Sequence, residues 1–232
     1  MQDVWQGIIE AAGLVLSGDP ALMEIIALSL RVTGTAVVIA CLIGMPLGAL
    51  LAVGRFPGRG TLILLTNALM GLPPVVVGLL VYMMLSNAGP LGILGLLYTP
   101  TAMIIAQAVL VTPIIAALSR QVLASMLQEY SEMLRAMGAS RVETALTLLR
   151  DARFALITVA LAGLGRAIAE VGAVLIVGGN INHATRVMTT AIALETSKGN
   201  LALALGLGMV LIAIAVAVNA ALMAVGRNPA HA

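Results

Sequence analysis

Long stretches without charged residues dominate the pattern of hydrophobic and polar positions along this 232-residue chain. Residues 32–54 and 199–226 are two such stretches, and each is long enough for a helix that crosses a bilayer, which needs about 20 apolar residues. Residues 60–119 form a third, with room for two spans and for the turn marked by Ser86–Pro90. A further span is predicted at about residues 153–177, although it contains Arg166 and Glu170. The pattern therefore predicts an all-α integral membrane protein with five transmembrane helices.

The N-terminal segment has a different pattern from the spans. Val4–Leu16 is too short to cross a bilayer, and apolar side chains such as Trp5 and Ile8 share one helical face. This is typical of a helix that lies in the membrane interface. Acidic residues and the lack of a positively charged start exclude a signal peptide. The predicted organisation is an interfacial segment at residues 1–18, a single transmembrane domain at residues 19–227 and a tail at residues 228–232.

Composition supports the membrane assignment. Hydrophobic residues make up 61% of the chain and charged residues 9%, whereas a soluble domain has about 25% charged residues. So few charges cannot cover a surface exposed to water, and the predicted surroundings are membrane lipid. The single cysteine, Cys41, excludes a disulfide framework and a cysteine-based zinc cluster. No metal site and no nucleic-acid partner are predicted.

Basic residues divide unevenly between the two predicted sides of the membrane. The connections after the first and third spans, together with the tail, carry eight arginines, among them Arg55, Arg141 and Arg227. The opposite side carries Arg186 and Lys198, with Arg31 at its edge. Because basic connections stay in the cytoplasm, we expect the N-terminus outside and the C-terminus in the cytoplasm.

Prolines interrupt three of the predicted spans. Pro46 and Pro113 lie inside predicted spans, where proline kinks a helix and neighbouring helices re-satisfy the freed backbone groups. Pro73 and Pro74 follow Gly71 and remove two backbone donors near the middle of the second span. A stronger distortion is expected at this pair.

One cytoplasmic connection, at about residues 121–153, is long enough to form a structure of its own. Its pattern predicts a helix, a break at Gly138 and a second helix. Ser140 and Glu143 have the spacing of a capping box at the start of the second helix. Two interpretations stay open: a helical hairpin packed under the bundle, or a docking surface for a cytoplasmic partner.

This connection resembles the cytoplasmic loop of ABC importer permeases, in which a glutamate precedes a glycine by six residues. Aligned on Gly138, that glutamate falls on Glu132, and residues 138–141 are similar to the usual continuation. Met133 and Leu134 replace the two alanines of the motif, and residues 150–151 replace its Leu-Pro. The resemblance implies contact with an ATPase through seven residues of the loop: Glu132, Arg135, Ala136, Gly138, Ala139, Ser140 and Arg141.

Two further segments resemble the tungstate-type permeases, which are related to molybdate and sulfate permeases. The segments run from Glu170 to Asn180 and from Thr185 to Gly199, and the Gly71–Leu80 run fits the same family. The resemblance covers about residues 24–226. It implies the fold of a type I ABC importer permease in a prokaryotic plasma (inner) membrane. The implied partners are a second copy of the chain, a cytoplasmic ABC ATPase dimer and an extracytoplasmic oxyanion-binding protein.

The implied function is import of tungstate by alternating access, with molybdate or sulfate as alternatives. The chain has no glycine-rich phosphate-binding motif, so ATP and Mg²⁺ are expected in the partner ATPase, and this chain is predicted to be neither an enzyme nor the holder of a cofactor. A gradient-driven secondary transporter that uses Arg166 and Glu170 is the alternative from another class. The large cytoplasmic loop and an odd number of spans, which cannot divide into inverted repeats, count against it.

Candidate residues for the transport pathway come from polar and helix-breaking positions in or near the spans. Arg166 and Glu170, four residues apart, could be a structural ion pair, a pore-facing pair or a proton site. Gly178–Asn180 are expected to break the fourth span near its outer end, before a short helix at the mouth. Neutral donors could bind a tetrahedral oxyanion without trapping it, while Arg186 and Lys198 could raise its local concentration. The full candidate set is Thr66, Asn67, Pro73, Pro74, Arg166, Glu170, Gly178, Gly179, Asn180, Thr189 and Thr190.

Overall fold

The computed structural model describes residue 13 and residues 15–226. The predicted interfacial helix at residues 4–16 and the tail at residues 228–232 lie largely or wholly outside this part of the chain. Residues 20–226 form α-helices, one short 3₁₀ turn and connecting loops, with no strand. The helices are α1 (Pro20–Val53), α2 (Arg59–Met70), α3 (Pro74–Leu85), the 3₁₀ turn (Gly92–Leu94), α4 (Pro100–Ala136), α5 (Arg141–Asp151), α6 (Arg153–Ile168), α7 (Gly172–Gly178), α8 (Met188–Lys198) and α9 (Leu201–Gly226).

Three of these helices are long and apolar enough to cross a membrane by themselves: α1, α4 and α9. Two pairs reach that length only together, and each is bent at a short break, α2–α3 by 103° and α6–α7 by 61°. Counted with each pair as one span, the described residues contain five candidate spans, as predicted. The second and fourth spans are nevertheless broken helices and not straight rods.

The break in the second span has a clear local cause. The backbone amide of Gly71 bonds to Ala68 at the end of α2, and α3 starts afresh with Pro73 as its N-cap and Pro74 at its first position. Proline lacks the amide that would continue the α2 hydrogen-bond ladder, but it suits the first turn of a new helix. The predicted distortion at Pro73–Pro74 is therefore confirmed as a full break. Pro46 and Pro113, in contrast, lie inside continuous helices.

Side-chain oxygens cap the starts of α1 and α4. Asp19 Oδ1 accepts a hydrogen bond from the Leu22 amide at 3.0 Å, and Thr99 Oγ1 accepts one from the Ala102 amide at 3.4 Å. Each cap precedes a proline at the first helical position. As a result α1 begins well before the predicted charge-free span and includes Arg31 on its exposed surface.

The core is built on close packing of α1 against α4. A Cβ added at Gly48 would lie 2.7 Å from the carbonyl oxygen of Ala116, and one at Gly44 would lie 3.0 Å from that of Thr112. Only glycine allows the two backbones to approach so closely, as in other membrane helix pairs with a Gly-x-x-x-Gly motif. Sequence reasoning missed this pair, although its spacing was the available signal.

Contacts at the two ends of the bundle show which connections lie together. At one end, Arg141 Nη1 donates to the carbonyl oxygen of Arg55 at 3.2 Å, which joins the long loop to the first connection. At the other end, His183 Nδ1 lies 2.7 Å from Glu24 Oε2, and the amide of Tyr98 bonds to the carbonyl oxygen of Val177. This grouping matches the predicted one. Which end faces the cytoplasm stays a prediction.

Candidate functional site

The two helix breaks lie side by side in the bundle. A Cβ added at Gly172, the first residue of α7, would lie 2.7 Å from Val75 Cγ2 at the start of α3. One added at Gly78 would lie 2.7 Å from the Cα of Ala173. Glycine at these two positions therefore lets α3 and α7 pack in close contact. The structure thus brings Pro73–Pro74 next to the segment that contains Glu170.

Arg166 and Glu170 form an ion pair, with Arg166 Nη1 2.8 Å from Glu170 Oε2. The sequence predicted both residues in one continuous span. In the structure α6 ends at Ile168, and Glu170 lies in the break before α7. The Glu170 side chain is 5% exposed, whereas that of Arg166 is 41% exposed. The second carboxylate oxygen accepts a hydrogen bond from the Ala173 amide at 3.2 Å. The carboxylate therefore neutralises Arg166 and caps α7 at the same time.

A small polar pocket adjoins this corner. It has a volume of about 10 Å³ and is lined in part by Ser29, Thr33, Gln107, Glu170 and Thr189, which is room for about one water molecule. Thr189 Oγ1 donates to the backbone carbonyl oxygen of Glu170 at 2.9 Å, and Gln107 Nε2 donates to that of Ala167 at 3.2 Å. Gln107 Oε1 is buried without a hydrogen-bond partner in the described part of the chain.

Sequence reasoning missed three of these polar residues: Ser29, Thr33 and Gln107. Ser29 Oγ accepts a hydrogen bond from the Met188 amide at 2.8 Å and thereby joins α1 to α8. The available signal was a polar residue among apolar neighbours in the sequence. Only the folded chain shows that these residues of α1 and α4 meet the Glu170 corner.

The other predicted outer residues form a second cluster at the end of α7. Gly179 adopts a left-handed conformation with φ of 70°, and α7 ends at Gly178, so the predicted break is confirmed. Thr190 Oγ1 donates to Asn180 Oδ1 at 2.9 Å, and Asn180 Nδ2 donates to the carbonyl oxygen of Thr190 at 3.3 Å. Asn180 and Thr190 therefore hydrogen-bond to each other. The short helix expected at the mouth is α8.

The charges around α8 are partly neutralised. Glu195 is buried and accepts hydrogen bonds from Lys198 Nζ at 3.0 Å and from Asn200 Nδ2 at 3.1 Å. The hydrogen bond from Lys198 holds the pKa of Glu195 below its ordinary value, against the opposing effect of burial. Lys198 is therefore paired with Glu195, whereas Arg186 keeps a buried Nε without a hydrogen-bond partner in the described residues.

Thr66 and Asn67 lie on α2, near its end. Thr66 is buried and its hydroxyl donates to the carbonyl oxygen of Leu62 at 2.7 Å, within its own helix. Asn67 is exposed. In the described part of the chain, Thr66 and Asn67 therefore have no hydrogen bond to the Glu170 corner or to the cluster of Asn180 and Thr190.

The long loop has the predicted helix–break–helix form, and its first helix is the continuation of α4. Gly138 has φ of 68°, and the amides of Gly138 and Ala139 bond to the carbonyl oxygens of Arg135 and Leu134, each at 3.0 Å. These two bonds are those of a Schellman motif, which favours glycine at this left-handed position. The predicted break at Gly138 is confirmed.

The second helix of the loop, α5, begins with the predicted capping box. The amide of Glu143 donates to Ser140 Oγ at 3.3 Å, and the amide of Ser140 donates to Glu143 Oε2 at 2.8 Å. The hydrogen bonds from Ser140 lower the pKa of Glu143. Ala152 alone separates α5 from α6, the helix that carries Arg166.

The surface of the loop is apolar as well as charged. Glu132, Arg135 and Ala136 are exposed together with Ser140 and Arg141. Four large apolar side chains are also more than half exposed: Met133, Met137, Val142 and Leu146. An exposed apolar patch with charged neighbours is typical of a surface that contacts another protein.

Known proteins match this chain over nearly its whole length. Residues 44–228 match the family described as binding-protein-dependent transport system inner membrane component. The tungstate uptake system permease protein TupB of Peptoclostridium acidaminophilum is 39% identical over 225 residues, which are 97% of this chain and 99% of that protein. A probable anion ABC transporter permease protein of Haloferax volcanii is 40% identical over 185 residues, 78% of this chain and 80% of the relative.

A second TupB, from Campylobacter jejuni, is 38% identical over 199 residues, 86% of this chain and 83% of the relative. The family match includes both helix breaks, Asn180 and Thr190, and the long loop, but it begins after Ser29 and Thr33 of α1. The chain therefore belongs to the family of binding-protein-dependent transport system inner membrane components.

Proposed function

We propose that this chain is the permease subunit of an ATP-driven importer for tungstate. The observation that carries the proposal is the 39% identity to a tungstate uptake permease over 97% of this chain. The family also fits a multi-pass inner-membrane subunit that works with a binding protein and an ATPase. ATP and Mg²⁺ belong to the ATPase in this proposal, and this chain binds no cofactor.

The proposed assembly is a dimer of this chain with an ATPase dimer on the cytoplasmic side and a tungstate-binding protein outside. The long loop faces the ATPase, with Glu132 and Arg135 as polar contacts and Met137 as an apolar one. Arg141 holds the start of α5 against the first connection through the carbonyl oxygen of Arg55. The N-terminus is outside and the C-terminus is cytoplasmic.

The proposed transport step uses the broken spans. When ATP binding moves α5, Ala152 passes the movement to α6, which ends at the Arg166–Glu170 corner. The adjacent breaks at Pro73–Pro74 and at Glu170 allow half-helices to tilt without breaking further backbone hydrogen bonds. The half-exposed guanidinium of Arg166 attracts a dianion, while its pairing with Glu170 prevents tight binding.

Uptake by reconstituted vesicles tests the proposal. Vesicles that contain this chain, the ATPase and the binding protein are expected to accumulate tungstate only when ATP is present, and molybdate and sulfate serve as competitors. Accumulation of sulfate without tungstate would show that the substrate is wrong. Uptake that continues without ATP and stops when an ionophore removes the ion gradients would establish the secondary-transporter alternative.

Two exposed glutamates of α4 test the contact with the ATPase. Glu132→Ala is expected to weaken ATPase association and ATP-dependent uptake, whereas Glu129→Ala, a matched change on the same exposed helix, leaves both unchanged. Equal effects of the two substitutions would contradict the assigned contact.

Orientation is tested by cysteine labelling in a Cys41→Ser background. A membrane-impermeant thiol reagent added outside is expected to label His183→Cys and not Arg141→Cys, since both positions are exposed at opposite ends of the bundle. Labelling only at position 141 would reverse the orientation.

A further inference from the structure

A large cavity at the end of the bundle that carries the long loop has an unusual charge. It has a volume of about 540 Å³ and lies between the end of α1, the start of α2, the extension of α4 and the start of α5. Its lining includes Arg55, Arg59, Arg135 and Arg141, and no described acidic residue lines it. We call it the arginine cavity. Four guanidinium groups without a carboxylate repel one another and attract an anion.

Backbone contacts hold two of these arginines in place. Arg59 Nε donates to the carbonyl oxygen of Leu51 at 2.8 Å, and its Nη2 donates to that of Ala52 at 3.3 Å. These bonds satisfy the open C-terminal carbonyls of α1. A guanidinium has five N–H donors, so most donors of Arg59 stay available. The side chains of Arg55 and Arg135 have no hydrogen bond or ion pair with any described residue.

An apolar groove adjoins the arginine cavity. The groove, about 370 Å³ in volume, lies between the end of α1 and α5 and is lined by side chains such as Leu50, Phe56 and Leu149. It shares Val53, Gly54, Arg55 and Arg141 with the cavity. A ligand that fills both must therefore carry an anionic group and an apolar chain in the same molecule.

We propose that the arginine cavity and the adjoining groove bind an anionic phospholipid. The phosphate lies against Arg55 and Arg59 of the first connection, one acyl chain lies in the groove, and Arg135 keeps its proposed contact with the ATPase. Both sites are at the end of the charge-free part of α1, where the apolar interior of the membrane meets the headgroup layer. Basic pockets between membrane helices bind anionic headgroups for the same electrostatic reason. The proposal does not depend on which anion the protein transports.

Native mass spectrometry of the purified protein tests the site with defined lipids. Phosphatidylglycerol is expected to bind at least about fivefold more tightly than phosphatidylcholine with the same acyl chains. Arg55→Gln removes one charge of the cavity and should weaken phosphatidylglycerol binding about fivefold, the effect of one basic residue near an anionic headgroup. Arg150→Gln is the matched control, because Arg150 is exposed on α5 and does not line the cavity.

Competition experiments distinguish a bound lipid from two other occupants of the cavity, a soluble anion and the ATPase. Glycerol 3-phosphate and tungstate at equal concentration are expected not to displace the lipid, because neither fills the groove. Displacement by either would make the cavity a site for a free oxyanion and overturn the proposal. Displacement of the lipid by the ATPase would assign the cavity to that protein.

The two glutamine variants and the comparison of different phospholipids give further results that could refute the proposal. Equal losses with Arg55→Gln and Arg150→Gln would show general attraction to a basic surface and would also overturn the proposal. If Arg55→Gln cannot be purified, the wild-type protein still decides. Equal binding of phosphatidylglycerol and phosphatidylcholine refutes the charge assignment, and undiminished binding of short-chain phosphatidylglycerol refutes the groove.

Discussion

Replacing the two members of the Arg166–Glu170 pair one at a time should have unequal effects on stability. Glu170 is 5% exposed, so Arg166→Met leaves a buried carboxylate with one backbone hydrogen bond, from the Ala173 amide. Breaking a buried pair in this way costs about 3–5 kcal/mol. We expect about 3 kcal/mol, the lower end of that range, because the carboxylate keeps the hydrogen bond from the Ala173 amide.

The reverse substitution should be milder. Glu170→Gln removes the charge but keeps an oxygen that can accept from the Ala173 amide, and the Arg166 side chain is far less buried than that of Glu170. We expect a loss of about 1 kcal/mol, the net contribution of one hydrogen bond. The double variant Arg166→Met, Glu170→Gln should be more stable than Arg166→Met alone, because no buried charge is left without a partner.

Thermal unfolding in detergent measures these differences. The single cysteine, Cys41, is half-buried, so a thiol-reactive dye reports unfolding without an added label. If Glu170→Gln destabilises as much as Arg166→Met, or if the effects of the two substitutions simply add, the pair does not neutralise a buried charge. Uptake by a folded double variant then separates the roles of the pair: normal uptake indicates a structural pair, and lost uptake indicates a place on the anion pathway.

Three further predictions concern single positions. Gly138→Val should leave the spans folded but weaken binding of the ATPase, because a φ of 68° is strained for a branched side chain. Gly138→Asn should reduce uptake less, and equal uptake by both variants would contradict this reasoning. Gly48→Ala should lower the free energy of unfolding by about 1–3 kcal/mol, because the added methyl group overpacks against Ala116. Gly34 has open space around it, so Gly34→Ala should not lower the free energy of unfolding. Thermal unfolding of the two variants measures the difference. The pKa of Glu195 is lowered in the folded protein, so its stabilising effect is complete above the ordinary value of 4.5 and is lost as pH falls through the lower folded-state pKa. Glu195→Gln should remove this acid-dependent loss, which thermal unfolding as a function of pH will show.

Local signals in the amino-acid sequence were sufficient for the number of spans, the helix caps and the form of the long loop. A charge-free stretch has few alternatives to a membrane helix, because backbone polar groups in lipid must be satisfied within the segment. The capping box at Ser140 and the break at Gly138 depend on residues within one turn of each other. Such features need no distant contact and could be read directly.

Other features needed the folded chain, because they depend on residues distant in the sequence. The bends of the second and fourth spans meet because Gly172 and Gly78 allow close packing of α7 against α3. Likewise, Gln107 joins the Glu170 corner through a hydrogen bond across 60 positions of the chain.

The amino-acid sequence by itself determined the class of this protein, its five apolar segments and the loop that contacts a partner in our proposal. Tertiary structure alone decided that Glu170 is buried while Arg166 is half-exposed, and that four arginines from three segments line one cavity. The physical reason is the same in each case. Hydrophobicity and capping act over a few neighbouring residues, whereas burial and the summed field of charges depend on which distant segments pack together.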